Sequence, residues 1–206
     1  MASDRSRRGL LIDYGGVLTT DVFASFSAFC EFEGLAPDAI GQVFREHPDC
    51  REMMLGFESG TVVQEQFESQ VAGLLGVEPA GLIDRLFGGT KLDELMLETV
   101  RRVRAGGTRT GLLSNSWGTT HYPRDLLAEL FDAVVISGEV GMRKPSPEIY
   151  VLGAERLGLA PADCVFVDDL SSNLDPAAEL GMATVHHRVP EETIAQLERL
   201  LGMSLR

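Results

Sequence analysis

The sequence predicts an α/β protein, a doubly wound parallel sheet carrying an inserted all-helical block, and three observations support that prediction. The apolar runs "LLID" (10–13) and "CVFVD" (164–168) end in carboxylates, as strands buried on both faces of a parallel sheet can do. From Lys91 onward, helical and strand-like patterns alternate, as successive βα units require. Residues 21–88 keep a helical period throughout and hold no strand pattern.

Taken in order, Leu10 to Ile12 form the first predicted strand, with Asp13 at its tip. The stretches "VFASFSAFCEFEG", "PDAIGQVFREH", "TVVQEQFESQVAGLLG" and "AGLIDRLFGG" then read as helices. They divide the chain into a core of residues 1–20 and 89–206 and a helical cap of 21–88, with Thr19-Thr20 and Gly88-Gly89 as hinges. Within the cap, Met53-Met54 and the phenylalanines of 23–32 are expected to form its core. Leu92, Leu95, Met96, Val100 and Val103 recur at helical spacing until "AGG" (105–107) stops the helix. A strand at 108–114, a helix around 124–131 and the strand "AVVI" (133–136) come next. "SPEIYVLGAERLG" is a helix with Pro147 suited to its first turn. After "CVFVD", a helix closed by Gly181, a last strand in "ATVHH" and the helix "PEETIAQLERLLG" complete the pattern.

The 206 residues suit one sizeable domain or a core with an insertion. A formal net charge of −13 argues against a nucleic-acid or anionic-membrane surface. No stretch approaches the ~18 apolar residues of a membrane span, and the apolar run after the basic lead "MASDRSRRG" is too short for a signal peptide. Cys30, Cys50 and Cys164, odd in number and widely spaced, read as reduced, buried thiols. The expectation is a soluble cytoplasmic protein with no nucleic-acid or membrane partner. The final helix could dock on its own core or on a partner, so oligomeric state stays open.

Four polar spots fall at the carboxyl ends of predicted strands or in the loops after them, the edge where open α/β sheets bind ligands. They are Asp13; Ser114 with Asn115 in "LLSNSW"; Lys144 in "GMRKPSPEIY"; and Asp168-Asp169 in "VFVDDLSSN". A carboxylate nucleophile, a hydroxyl, an amine and an acidic pair suit phosphoryl transfer. Aspartate can attack phosphorus to give an aspartyl-phosphate. Mg²⁺ held by carboxylates and substrate oxygens neutralises developing charge, and the lysine and hydroxyl offset the rest. Each spot alone has an ordinary structural reading, as a turn former, helix cap or loop lysine; four in register do not.

In the order and spacing of these motifs, the chain resembles the haloacid dehalogenase (HAD) superfamily, specifically its phosphatase-like members with a helical cap. The stretch from "SNSW" through "KPSPEIY" to "FVDD" is similar to the N-terminal phosphatase domain of soluble epoxide hydrolases. The resemblance implies a Rossmann-like core and a Mg²⁺-dependent phosphatase acting on a small phosphorylated metabolite. It makes Asp13 the nucleophile, and Asp13, Asp169 and the Gly15 carbonyl the metal ligands. Lys144 would neutralise the nucleophile and the transferring phosphoryl group, keeping Asp13 ionised at neutral pH. Ser114 and Asn115 would donate to the phosphoryl oxygens, and Asp168 would orient Lys144 or a metal-bound water.

The family pattern has a second carboxylate where "DYGG" has Gly15, so the metal-binding carbonyl is kept and the acid/base side chain is missing. A 2-haloacid dehalogenase and a non-catalytic binding domain are the rival readings; the metal dependence signalled by Asp168-Asp169 sets the first well below the phosphatase. Arg51 and Glu58 are polar cap residues near the hinges that could face the pocket, although nothing in their spacing assigns them to it. Trp117 and Tyr150 are expected to pack, with the pocket's edge as the alternative for Trp117, and His47 and His121 to lie at the surface.

Overall fold

A computed structural model of the chain describes residues 6–120 and 122–205; His121 lies outside them. The strands are β1 (Gly9–Ile12), β2 (Arg109–Ser114), β3 (Ala133–Ile136), β4 (Cys164–Asp168) and β5 (Ala183–His186). They form a single parallel sheet in the order β3-β2-β1-β4-β5. Between β1 and β2 run α1 (Val22–Phe32), α2 (Ala39–Glu46), α3 (Pro48–Glu58), α4 (Gln64–Leu75) and α5 (Leu82–Phe87), followed by α6 (Glu94–Ala105). The remaining helices are α7 (Arg124–Leu130), α8 (Ser137–Val140), α9 (Pro147–Arg156), α10 (Ser171–Glu179) and α11 (Pro190–Leu201). The α/β class follows directly from this architecture.

Side chains alternate across each strand, and the alternation builds two cores. Leu10 and Ile12 of β1 join Val165 and Val167 of β4 against Val100 of α6 and Leu197 of α11. Leu11 points the other way, with Phe166, towards Ile149 and Ala154 of α9 and Ala177 of α10. The sheet is thus covered on both faces, which is why β1 and the run 165–167 of β4 are apolar throughout. Asp21 and Asp93 cap α1 and α6, accepting from the backbone N–H groups of Phe23 at 2.8 Å and Met96 at 2.9 Å.

The helices α1 to α5 bury a third cluster, including Phe26, Phe29, Val43, Phe57, Phe67, Val71, Ile83 and Leu86. Met53 and Met54 pack against it. The phenylalanine run divides, contrary to expectation: Phe26 and Phe29 are 6% and 5% exposed, whereas Phe23 and Phe32 are 57% and 85% exposed. Steps of three residues rotate each ring by about −60° around a 3.6-residue helix, so only the middle two face the cluster squarely. α3 had no counterpart among the expected helices; only Cys50, Phe57 and Glu58 of it are buried, too thin an apolar stripe to announce itself.

Phe67 is fully buried and stacks on Phe57 at 4.5 Å between ring centroids. Phe67→Ala should therefore destabilise the protein by about 3–5 kcal/mol. Denaturant unfolding measures this, and a loss below about 1 kcal/mol would deny the cluster its structural role. The two linkers run side by side: Thr20 N–H donates to the Lys91 carbonyl at 2.8 Å, and Lys91 N–H returns a bond to Thr20 Oγ1 at 3.0 Å.

Candidate active site

β1 and β4 are neighbours, and the strand order reverses between them. The crevice at such a switch point, outside the strands' carboxyl ends, is where open α/β sheets place ligands. Asp13 extends β1, donating its backbone N–H to the Val167 carbonyl at 3.0 Å, and Asp168 ends β4. Lys144 Nζ lies between their carboxylates, 2.9 Å from Asp13 Oδ2 and 2.6 Å from Asp168 Oδ2. The lysine is 1% exposed. Asn115 fixes its backbone from both sides: Asn115 Nδ2 donates to the Lys144 carbonyl at 2.9 Å, and Lys144 N–H donates to Asn115 Oδ1 at 2.8 Å. The loop after β2 thereby aims the lysine.

Asp168 is spent on structure. Its oxygens accept from Lys144 Nζ, from Leu170 N–H at 2.8 Å and from Asn173 Nδ2 at 3.0 and 3.2 Å. Asn173 is in turn held by Tyr150, whose hydroxyl donates to the Asn173 carbonyl at 2.8 Å. Asp13, Gly15, Ser114, Asn115, Lys144 and Asp169 all line one cavity of about 950 Å³, and Asp168 lies behind it. Ser114 Oγ is 2.8 Å from the Tyr122 hydroxyl, and with the tyrosine as donor the serine proton goes to the Asn115 carbonyl at 3.4 Å, a long bond that a ligand oxygen would replace. Glu58 and Trp117 also line the cavity, but Arg51 does not; its guanidinium donates to the Phe44 and Arg45 carbonyls. Glu58 Oε2 meets Arg143 Nε at 2.6 Å. Sequence reasoning missed Tyr122, which carries no local signal, and Asn173, whose place in the first turn after "VDD" was a readable one.

The charges are unbalanced, with Asp13, Asp168 and Asp169 facing a single ammonium. Burial pushes the Asp13 carboxyl up to about 7; Lys144 pulls it down, while Asp168 and Asp169 add to the rise. Burial likewise takes Asp169 up to about 6, with Asp168 contributing. Lys144 opposes its own burial through Asp13 and Asp168 and stays cationic. Nearby positive charge is expected to keep Asp13 ionised at neutral pH; at this carboxyl burial works in the opposite direction to Lys144.

A divalent cation suits this surplus. Asp13, Asp168 and Asp169 each bring a carboxylate oxygen within 4.8 Å of the others, and hard oxygen donors of this kind suit Mg²⁺. Asp13 and Asp169 line the cavity and Asp168 does not, so those two are the carboxylates that could hold a metal there. The turn after Asp13 passes close against Asp169: Gly16 has φ +71°, and a Cβ there would fall 2.4 Å from Asp169 Oδ2. Gly15 does not share that conformation, and a Cβ on it would meet only Val22 Cγ2, at 3.1 Å.

Fold and site together define a hydrolase built on a parallel sheet, with an aspartate at the tip of its central strand. Residues 8–181 match the family model described as haloacid dehalogenase-like hydrolase, and the chain belongs to that family. Among curated relatives it is 32% identical over 131 residues to Bifunctional epoxide hydrolase 2 of Sus scrofa, a match covering 60% of this chain and 24% of that protein. The chain thus spans about a quarter of that relative's length. It is 29% identical over 153 residues to the Sesquiterpene phosphatase astK of Aspergillus oryzae, covering 71% and 78% of the two. The fold is shared with a HAD family enzyme of Bacteroides thetaiotaomicron, solved in complex with magnesium and inorganic phosphate: TM-score 0.66, 23% identity, covering 88% of this chain and 94% of that one. Among the described residues, no helix is long and apolar enough to cross a membrane.

Proposed function

We propose that the protein is a Mg²⁺-dependent phosphatase that cleaves a small phosphorylated organic molecule through an aspartyl-phosphate on Asp13. The observation that carries this reading is Lys144, buried between the Asp13 and Asp168 carboxylates at the sheet's switch point. An Asp13 oxygen attacks phosphorus, the ester P–O bond breaks, and the substrate oxygen leaves. Water then attacks the same phosphorus, breaking its bond to Asp13 and releasing inorganic phosphate. Lys144 and Ser114 donate to the phosphoryl oxygens as charge moves onto them, while Asn115 and Asp168 position the lysine.

Asp13, Asp169 and the Gly15 carbonyl would hold Mg²⁺, which when bound neutralises the charge of carboxylates and phosphate. No side chain at residue 15 protonates the leaving oxygen, so esters with good leaving groups should react fastest. The separate cluster within α1 to α5 and the paired linkers support the division into a core (1–20, 89–206) and a cap (21–88). Three free, buried cysteines fit a reducing, cytoplasmic compartment.

Phosphate release from an aryl phosphate, titrated with Mg²⁺ and reversed by chelation, tests the reading; metal-independent halide release from a 2-haloacid would overturn it. Asp169→Ala should raise the Mg²⁺ concentration needed for half-maximal rate by roughly 10-fold or more, within the 10–100-fold scale seen when groups supporting a metal are removed. An unchanged Mg²⁺ response would remove Asp169 from the metal site.

A further inference from the structure

The cavity that holds Asp13 has a second part that phosphoryl chemistry leaves unused. The helical block lines it with Phe26, Ile40, Phe44, Met54 and Phe87, and the loop after β2 adds Trp117. Four of these rings form a continuous wall. Trp117 lies 5.1 Å from Phe26, 5.8 Å from Phe44 and 5.8 Å from Phe87, and Phe26 lies 5.3 Å from Phe87, centroid to centroid. Trp117 is partly buried against the same cluster that holds the helices together, so the wall is rigidly backed.

The cavity's cations are mostly committed. Lys144 faces Asp13 and Asp168, Arg143 faces Glu58 at 2.6 Å, and Arg45 faces Asp38 at 3.0 Å. Lys91 also lines the cavity, as an exposed side chain beside the second linker. A second phosphate or carboxylate on the substrate would have to displace a carboxylate from an arginine or rely on that exposed lysine. A polyol laid against the four rings would leave hydroxyls desolvated without partners, a substantial penalty for each. A hydrocarbon chain or ring gains from the same surface. The volume, about 950 Å³, lies within the range of sites that enclose ligands of drug size.

From this lining, and resting on the phosphatase reading, we infer that the substrate is a phosphate monoester of an apolar alcohol. Its phosphoryl group meets Asp13 and Lys144, and its hydrocarbon part lies against Trp117, Phe26, Phe44 and Phe87. Specificity then comes from burying the leaving group, while Asp13 performs the same chemistry on any ester.

The test uses two series with the full chain and Mg²⁺. Calorimetry gives dissociation constants for n-alkylphosphonates from methyl to octyl, and phosphate release gives kcat/KM for the matching n-alkyl phosphates. Affinity should tighten with each methylene, by up to about fourfold per step, until the wall is covered. Hexyl phosphate should be a better substrate than glucose 6-phosphate, which has the same number of carbons. Phe44→Ala and Trp117→Leu, each checked for folding, should shrink the octyl-to-methyl affinity ratio. A flat or falling phosphonate series, preference for glucose 6-phosphate, or an unchanged ratio in both folded variants would overturn the inference. Failure to hydrolyse any ester while the phosphonate series still rises would sink the phosphatase reading and uphold the ligand class.

Discussion

Asp13→Asn should lower phosphate release by about 10⁴–10⁶-fold, the scale observed when a covalent nucleophile is removed. The amide nitrogen is a poor nucleophile, and the amide oxygen cannot form a stable acyl-phosphate. The fold should survive for a reason visible in the site. Burial already takes the Asp13 carboxyl up to about 7, so the native structure accommodates a neutral group there near neutral pH. Asn can keep one contact, accepting the Tyr14 N–H that now bonds Asp13 Oδ1 at 2.7 Å. Lys144 retains Asp168 at 2.6 Å as its counter-charge. The decisive measurement pairs initial rates with thermal unfolding. A folded variant keeping more than about 1% of the wild-type rate would deny Asp13 its role.

Gly15→Asp should raise turnover of alkyl phosphates more than that of aryl phosphates. An alkoxide needs a proton to leave, whereas an aryl oxide leaves readily without one. A positioned general acid contributes about 10²–10⁴-fold, which bounds the gain from above. The geometry permits the graft. Gly15 is not in the left-handed region, which belongs to Gly16, and a Cβ at residue 15 would meet only the tip of Val22, at 3.1 Å. A small shift of that half-buried valine makes room. Gly16→Asp is the informative contrast: its φ of +71° and the 2.4 Å approach to Asp169 Oδ2 should disrupt the site. The readout is the alkyl-to-aryl ratio of kcat/KM in wild type and variant. If Gly15→Asp folds, responds to Mg²⁺ and leaves that ratio unchanged, the missing carboxylate is not what limits this site.

Much of the architecture was legible because local periodicity reports it. "CVFVD" is β4 residue for residue, Pro147 opens α9, and α6 ends at the expected glycines. Where the pattern was weak, the sequence was silent: α3 has a narrow apolar stripe, and Phe23 and Phe32 look like their buried neighbours until the helix is placed against its partners. The candidate residues were legible for a different reason. Polar groups at the tips of apolar strands have few structural excuses, and four of them in a fixed order point to one chemistry.

By itself, then, the sequence determined all five strands and most of the helices, which carboxylates stand at strand ends with a lysine in a following loop, and that residue 15 carries no acid. Only the tertiary structure decided their partners. The order β3-β2-β1-β4-β5 sets Asp13 beside Asp168, with Lys144 between them. Docking of the helices against Trp117 turned rings from separate segments into one wall of the cavity. Periodicity along a chain shows which face of an element must be buried, but not which other element will cover it. That choice is made by packing among segments distant in sequence, and the desolvation that raises the Asp13 pKa exists only once packing has excluded water.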